Sequence, residues 1–334
     1  MAVDTNKTVT VFGGSGFIGR YVVRALAKRG HRIKVACRRP DLAYHLQPNG
    51  NMGQIMPIQA NLRYPWSVER AVDGADYVIN LVGILAESGQ QRFETLQAEG
   101  ARLVAEAARG AGAGMTQISA IGVEAGGDTA YGRTKALGEM AVFETIADAT
   151  VIRPSIVFGA EDQFFNRFAD MARFSPFLPL IGGGNTRFQP VFVGDVAEAI
   201  AATVDGAVPG GRTYELGGPE VLTFREMMEE MLRIIGRRRH LLTIPFGAAG
   251  AMASVMRYLP GAPLTPDQVR QLRHDNVVSD AAEAEGRTLA AFGVRGRTPE
   301  AVLPTYLVRF RPQGQFTQPR PQAGGLDRDD DERS

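Results

Sequence analysis

Tyr131 and Lys135 are four residues apart, so on a helix their side chains share one face. An ammonium beside a phenol favours the phenolate and lowers its pKa, which makes tyrosine a usable acid or base near neutral pH. Ser119 lies twelve residues upstream of Tyr131. It ends the strand expected before that helix, where its hydroxyl is placed to orient a substrate carbonyl. A Tyr-x-x-x-Lys pair alone is a weak signal. It gains specificity from Ser119 and from a glycine-rich loop far upstream.

That loop reads Thr10-Val11-Phe12-Gly13-Gly14-Ser15-Gly16-Phe17-Ile18-Gly19-Arg20. It follows an apolar strand and opens a helix, the setting in which such glycines bind a dinucleotide. One glycine permits the tight turn off the strand, Gly16 lets a pyrophosphate approach the backbone, and Gly19 lets the helix pack against the sheet. The helix start adds free N–H groups and a positive dipole end. Gly13, Gly14, Ser15, Gly16, Phe17, Ile18 and Gly19 are therefore the expected phosphate-side contacts. A site for NAD usually presents Asp or Glu at the end of the second strand, whereas this chain has Ala36-Cys37-Arg38-Arg39 and only then Pro40-Asp41. Arg38 and Arg39 suit a 2′-phosphate instead, so NADPH (NADP) is expected over NAD. The bland alternative is a pair of solvated loop arginines.

The elements that must position these residues alternate in type. Strands are expected at 8–12, 32–37, 55–59, 77–82, 115–121 and 149–157, with helices at 17–29, 67–72, 93–109 and 131–146. Such alternation predicts an α/β fold, a Rossmann-type doubly wound parallel sheet, with a smaller C-terminal α+β region. The division expected is a dinucleotide-binding domain at 1–160, with 185–205 returning to it, a smaller substrate or docking region at 161–310, and a disordered tail at 311–334. Residues 158–192 hold eight of the seventeen phenylalanines, a run that reads as core packing more readily than as a ligand cage. Thr223 and Glu226 form a capping-box pattern at the start of a later helix.

Composition narrows the function classes. The 334 residues suffice for about two domains. The formal charge of +1 gives no global field that would draw nucleic acid. Cys37 is the single cysteine and the four histidines show no paired ligand spacing, so neither a disulfide framework nor a metal site is expected. Met1-Ala2-Val3-Asp4 leads towards an apolar strand with neither a secretory nor a transit-peptide pattern. Residues 241–256 carry no charge and are flanked by Arg237-Arg238-Arg239-His240 and by Arg257. The stretch is too short to span a bilayer, and reads either as an interfacial or docking segment or as a core helix. Residues 327–334 carry five acids against two arginines.

Over residues 8–220 the chain resembles the extended or atypical short-chain dehydrogenase/reductase superfamily. The resemblance implies that Ser119, Tyr131 and Lys135 form the reaction centre, with Lys135 also on the nicotinamide ribose. It implies that Pro154 and Ser155, within Val151-Ile152-Arg153-Pro154-Ser155-Ile156-Val157-Phe158-Gly159, face the nicotinamide carboxamide. Leu81, Val82 and Gly83 would lie beside the adenine ribose. Asn61 and Leu62 stand where an Asp-Leu commonly meets adenine, so Asn61 departs from the pattern.

Three segments are similar to one branch of that superfamily, the nucleotide-binding accessory subunits of respiratory complex I (NADH:ubiquinone oxidoreductase), called alpha subcomplex subunit 9 in mitochondria. They are residues 131–139, residues 189–196, and the acidic-aromatic run Phe158-Gly159-Ala160-Glu161-Asp162-Gln163-Phe164-Phe165-Asn166-Arg167-Phe168. This resemblance implies a tightly held, structural NADPH, other complex I subunits as partners, and a place on the peripheral arm near the membrane. With no transit peptide read, the expected location is the cytoplasmic side of a bacterial inner membrane, with 237–257 as a peripheral membrane contact. A free NADPH-dependent short-chain reductase or epimerase using Ser119, Tyr131 and Lys135 is the alternative. A nucleotide-sensing regulator ranks last, since no DNA-reading helix or basic face is evident.

Overall fold

The structure, a computed structural model, describes residues 6–256, 264–312 and 314. Seven strands form the central sheet: β1 (Thr8–Phe12), β2 (Arg32–Cys37), β3 (Ile55–Gln59), β4 (Tyr77–Asn80), β5 (Gly114–Ile118), β6 (Thr150–Pro154) and β7 (Arg212–Leu216). Their spatial order is β7-β6-β5-β4-β1-β2-β3, and every neighbouring pair is parallel. Strands covered on both faces need apolar residues on both, which is why these read as nearly continuous hydrophobic runs.

The period-two alternation of strand side chains divides the core into two layers. Val9 and Val11 of β1 pack with Ile79, Ile118 and Ile152 against α1 (Phe17–Lys28) and, through Val196 and Ile200, α6 (Val193–Val204). Phe12, Val78 and Met115 face the other way, into a layer built from α2 (Pro65–Val72), α3 (Gly100–Gly110) and α4 (Ala130–Thr145). A third cluster lies outside the sheet. It joins Phe158, Phe165 and Phe188 to α5 (Phe165–Phe174), α7 (Phe224–Ile234) and residues 302–310. The phenylalanine-rich stretch is thus core.

Several boundaries differ from the pattern-based ones for identifiable reasons. β4 stops at Asn80 because the Asn80 side chain accepts a 3.1 Å hydrogen bond from the Val82 N–H and closes the turn there. The strand expected over 149–157 breaks after Pro154, and Val157–Phe158 pairs instead with Val191–Phe192. The helix before α3 begins as a wide π turn over Glu94–Glu99. This turn packs so closely on α4 that a Cβ at Gly138 would collide with the Gln97 carbonyl. Arg212–Leu216 adds an edge strand, so the sheet draws on more of the second half than 185–205.

The uncharged stretch forms an exposed strand, His240–Ile244, paired with Phe177–Ile181, and then α8 (Phe246–Met256). Of the eleven residues of α8 only Ala249 and Ala253 are buried, so it is not a core helix. No helix among the described residues is long and apolar enough to cross a membrane. Arg257 and most of the tail assigned to 311–334 lie outside the described residues.

Candidate functional site

Strand order reverses between β1 and β4, and in open parallel sheets the crevice at such a reversal, beyond the strands' carboxyl ends, is where ligands bind. The glycine loop leaves β1 at this point. Gly13 takes φ +76°, and a Cβ there would meet the Val82 nitrogen at 3.3 Å, so the loop can lie on the end of β4 only as glycine. The Gly16 N–H donates to the Gly13 carbonyl at 2.9 Å and tightens the turn. A Cβ at Gly19 would collide with the Gly13 carbonyl, which brings α1 directly against the loop. Gly16 caps α1, yet no side chain accepts from the first turn and no acid sits in it. Those N–H groups and the dipole end are arranged for an external anion.

Arg38 and Arg39 follow β2 at the same edge, and both are exposed. Arg39 is engaged by Asp41 through a 2.7 Å ion pair, whereas the described residues give the Arg38 guanidinium no hydrogen-bond partner. Of the two, Arg38 is the one disposed to meet a 2′-phosphate. Leu81, Val82 and Gly83 line the turn after β4, half-buried to exposed. Across β1 and β2 from them, Asn61 uses its Oδ1 to accept from the Arg63 N–H at 3.2 Å, and Leu62 is buried in the layer under α2 and α3.

Ser119 sits just beyond β5 and α4 carries the other two residues, its N-terminus fixed by Thr129, whose hydroxyl accepts from the Gly132 N–H at 3.1 Å. Lys135 is buried, donates to the Ile118 carbonyl at 3.2 Å, and places Nζ 3.2 Å from where a Cβ at Gly83 would stand. Gly83 therefore leaves room for the ammonium between β4 and β5. The Ser119 hydroxyl is buried with no hydrogen-bond partner among the described residues. An orphaned buried hydroxyl is uncommon, and one next to this groove fits a ligand that supplies the missing bond.

The protonation states correct the sequence-based expectation. The Tyr131 phenol, packed edge-on against Phe93, is pushed up to about 12 by burial rather than lowered by a neighbouring ammonium. Burial likewise pulls the Lys135 ammonium down to about 8, partly opposed by Glu139 one turn on. Desolvation dominates for both groups, so Tyr131 stands as a neutral phenol, a donor rather than a ready base.

Pro154 and Ser155 end β6 at the same crevice, but the Ser155 hydroxyl is already committed. It donates to Asn276, with Oδ1 at 2.7 Å and the carbonyl at 2.8 Å, and it accepts from the Gln189 N–H at 3.3 Å. Asn276 also donates to the Ile121 carbonyl at 3.2 Å. Asp267, in the short helix α9 (Pro266–Gln271), accepts from the Ala130 and Tyr131 N–H groups at 3.2 and 3.1 Å and so caps the helix that bears Tyr131. Sequence reasoning missed Asn276 and Asp267, which carry no motif and lie more than a hundred residues from their partners. Arg153 of β6 was also missed as a participant. It forms a 2.6 Å ion pair with Glu139, behind Lys135.

The residues brought together fit a nicotinamide dinucleotide: the glycine loop and α1 for its phosphates, Arg38 for a 2′-phosphate, and Ser119, Tyr131 and Lys135 around its reactive end. Such a cofactor supplies hydride exchange when bound. The protein's own contribution is to hold and orient it, with Tyr131 able to donate a proton and the buried Ser119 hydroxyl a hydrogen bond. Among the described residues no cluster of His, Cys, Asp or Glu could hold a metal ion.

Fold and site together define a Rossmann-type protein whose residues fit a nicotinamide dinucleotide. The sequence pattern of the NAD dependent epimerase/dehydratase family matches residues 9–217, and the chain belongs to that family. It is 35% identical over 319 residues to NADH dehydrogenase (ubiquinone) 1 alpha subcomplex subunit 9, mitochondrial, of Arabidopsis thaliana, covering 91% of this chain and 78% of that protein. The narrower resemblance read from residues 131–139, 158–168 and 189–196 is thereby borne out over most of the chain. It is also 28% identical over 292 residues to the ceramide reductase of Caulobacter vibrioides, covering 86% and 90% of the two chains. Among solved structures, an Escherichia coli NADPH-dependent quinone oxidoreductase complexed with NADPH superposes with a TM-score of 0.68 at 18% identity, covering 88% of this chain and 97% of that one. That likeness shows the fold.

Proposed function

We propose that this chain is an NADPH-holding accessory subunit of respiratory complex I, docked on the peripheral arm near the membrane. The observation that carries this reading is the similarity to the plant alpha subcomplex subunit 9, which extends through the second half, where generic dinucleotide binding demands nothing. NADPH is favoured over NADH by Arg38 at the end of β2 and by the lack of an acid at that strand end. A structural role for the nucleotide is supported by the commitment of Ser155 to Asn276. The proposed location is the cytoplasmic side of a bacterial inner membrane, and peripheral membrane contact is supported by α8, uncharged and mostly exposed among the described residues, beside Arg237, Arg238 and Arg239. The test is native electrophoresis of gently solubilised membranes. The expected result is co-migration with NADH:ubiquinone oxidoreductase activity, and migration as a free protein overturns the proposal.

A second reading, a free NADPH-dependent reductase, is favoured by the intact Ser119, Tyr131 and Lys135 and by the similarity to the Caulobacter ceramide reductase. It predicts NADPH consumption with a carbonyl substrate that Tyr131→Phe abolishes. Equal, negligible consumption by both proteins sinks it.

A further inference from the structure

Between α7 and the strand His240–Ile244 lies a cleft of about 700 Å³, within the size range of small-molecule sites. Five arginines line it against one acid, Glu229. Two of the five are answered. Arg233 is paired with Glu230 at 2.6 Å and with Glu300 at 3.3 Å. Arg225 lies 3.9 Å from Glu229 and donates to the Gly183 carbonyl at 3.2 Å. Among the described residues Arg237, Arg238 and Arg239 have no carboxylate partner. The Nε–H groups of Arg237 and Arg239 donate instead to the Phe310 and Ala172 carbonyls, both at 2.8 Å, and Nη1 of Arg239 donates to the Arg238 carbonyl at 2.9 Å.

A carbonyl orients a guanidinium without cancelling its charge. The positive charge is dense enough to act on itself: burial, and then Arg239 and Arg173, hold the Arg237 guanidinium below the usual arginine range. A bound dianion relieves that repulsion. Guanidinium groups already fixed at Nε also lose little freedom on binding, and their forked N–H donors match the oxygens of a phosphate. Leu232 and Leu241 complete the wall. The cleft thus offers apolar contact as well as charge, and room for more than a phosphate alone.

We propose that this cleft binds a phosphomonoester, with its phosphate on Arg237, Arg238 and Arg239 and its organic part against Leu232 and Leu241. A phosphomonoester carries close to two charges at neutral pH, so one group answers more than one guanidinium, which a carboxylate or a phosphodiester does not. A soluble phosphomonoester and the headgroup of phosphatidic acid present the same chemistry. The inference depends on neither the nucleotide nor complex I, and it stands whether or not the chain touches a bilayer.

The test compares the full-length chain with its Arg238→Glu and Arg238→Ala variants. Isothermal titration with glycerol 3-phosphate examines the soluble source, and co-sedimentation with phosphatidylcholine vesicles containing phosphatidic acid examines the lipid source. At least one of the two should bind the native chain, and Arg238→Glu should weaken that binding about tenfold, with a smaller loss in Arg238→Ala. The Arg238 side chain holds nothing among the described residues, and thermal melting checks that each variant folds. Since the readout is the dependence on Arg238, phosphate bound at the glycine loop is not counted, and the outcome is independent of the nucleotide reading. Binding of glycerol 3-phosphate assigns a soluble ligand, and binding of the vesicles alone assigns a lipid headgroup. Binding of neither, or binding indifferent to both variants, overturns the proposal. Equally tight, Arg238-dependent binding of phosphatidylglycerol vesicles at matched surface charge, or of an oligoglutamate peptide, overturns it as well, because any anionic surface would then suffice.

Discussion

Asp162 and Tyr306 share a 2.6 Å hydrogen bond across 144 residues of sequence, the phenol donating to a buried carboxyl that also accepts from the Gly159, Phe164 and Asn166 N–H groups. The acidic-aromatic run that singled out one branch from sequence is thus a structural clasp. Asp162 ties its turn to residues 302–310, while its neighbour Glu161 reaches Tyr21 at 2.9 Å and Arg20 at 3.2 Å on α1. The signature joins α1 of the dinucleotide domain to the cluster outside the sheet.

Tyr306→Phe removes one donor and leaves Asp162 its three backbone partners, so it should cost about 1–2 kcal/mol in urea denaturation. Asp162→Ala strands three N–H groups and the phenol together and should cost more, roughly 3 kcal/mol. Equal, near-zero effects would mean that the clasp does not stabilise the fold.

Arg38 and Arg39 differ in what they are free to do. Arg38→Ala should weaken NADPH binding by about tenfold while leaving NADH almost unchanged, because a lost guanidinium–phosphate contact matters only where the 2′-phosphate exists. Arg39→Ala should have the smaller effect, since Asp41 already engages that side chain. Isothermal titration with both nucleotides reads the difference directly.

Lys135 gives a pH signature. Its ammonium titrates at about 8 in the fold and at the ordinary lysine value once unfolded. Below that pH both states are protonated, and the buried charge costs its full amount, at most about 3 kcal/mol. As pH rises from about 8 towards the ordinary lysine range, the unfolded chain binds more protons than the folded one, so this group's contribution becomes less unfavourable. Chemical denaturation of the nucleotide-free protein across that window should show the gain, and Lys135→Met should remove it.

Asn276 holds the Ser155 hydroxyl, the Ile121 carbonyl and the Gln189 N–H in one place. Asn276→Ala should speed hydrogen exchange over 273–279 and at Gln189 without altering exchange in β1 to β4. Unchanged exchange would mean that this segment is held by other contacts.

Much of the first half was legible because its signals are local. The strands at 8–12, 32–37 and 55–59 coincide with the structure, since a buried strand bounded by turn residues announces itself within a dozen positions. The glycine loop was equally readable, as its glycines answer to neighbours close in sequence or at the adjoining strand ends. The pairings Ser155 with Asn276 and Asp267 with the start of α4 were not legible, because they close over more than a hundred residues and use ordinary side chains. The spacing of Tyr131 and Lys135 correctly put both on one helix but said nothing about burial, and burial decides which way their protons go.

The central claim is that residues 13–19, Arg38, Ser119, Tyr131 and Lys135 form one site that keeps NADPH bound. Its most direct measurement is the nucleotide released when the protein, purified without added cofactor, is denatured. The account predicts about one NADPH or NADP per chain and little NADH or NAD. Release of no nucleotide, or of NAD and NADH alone, would contradict it.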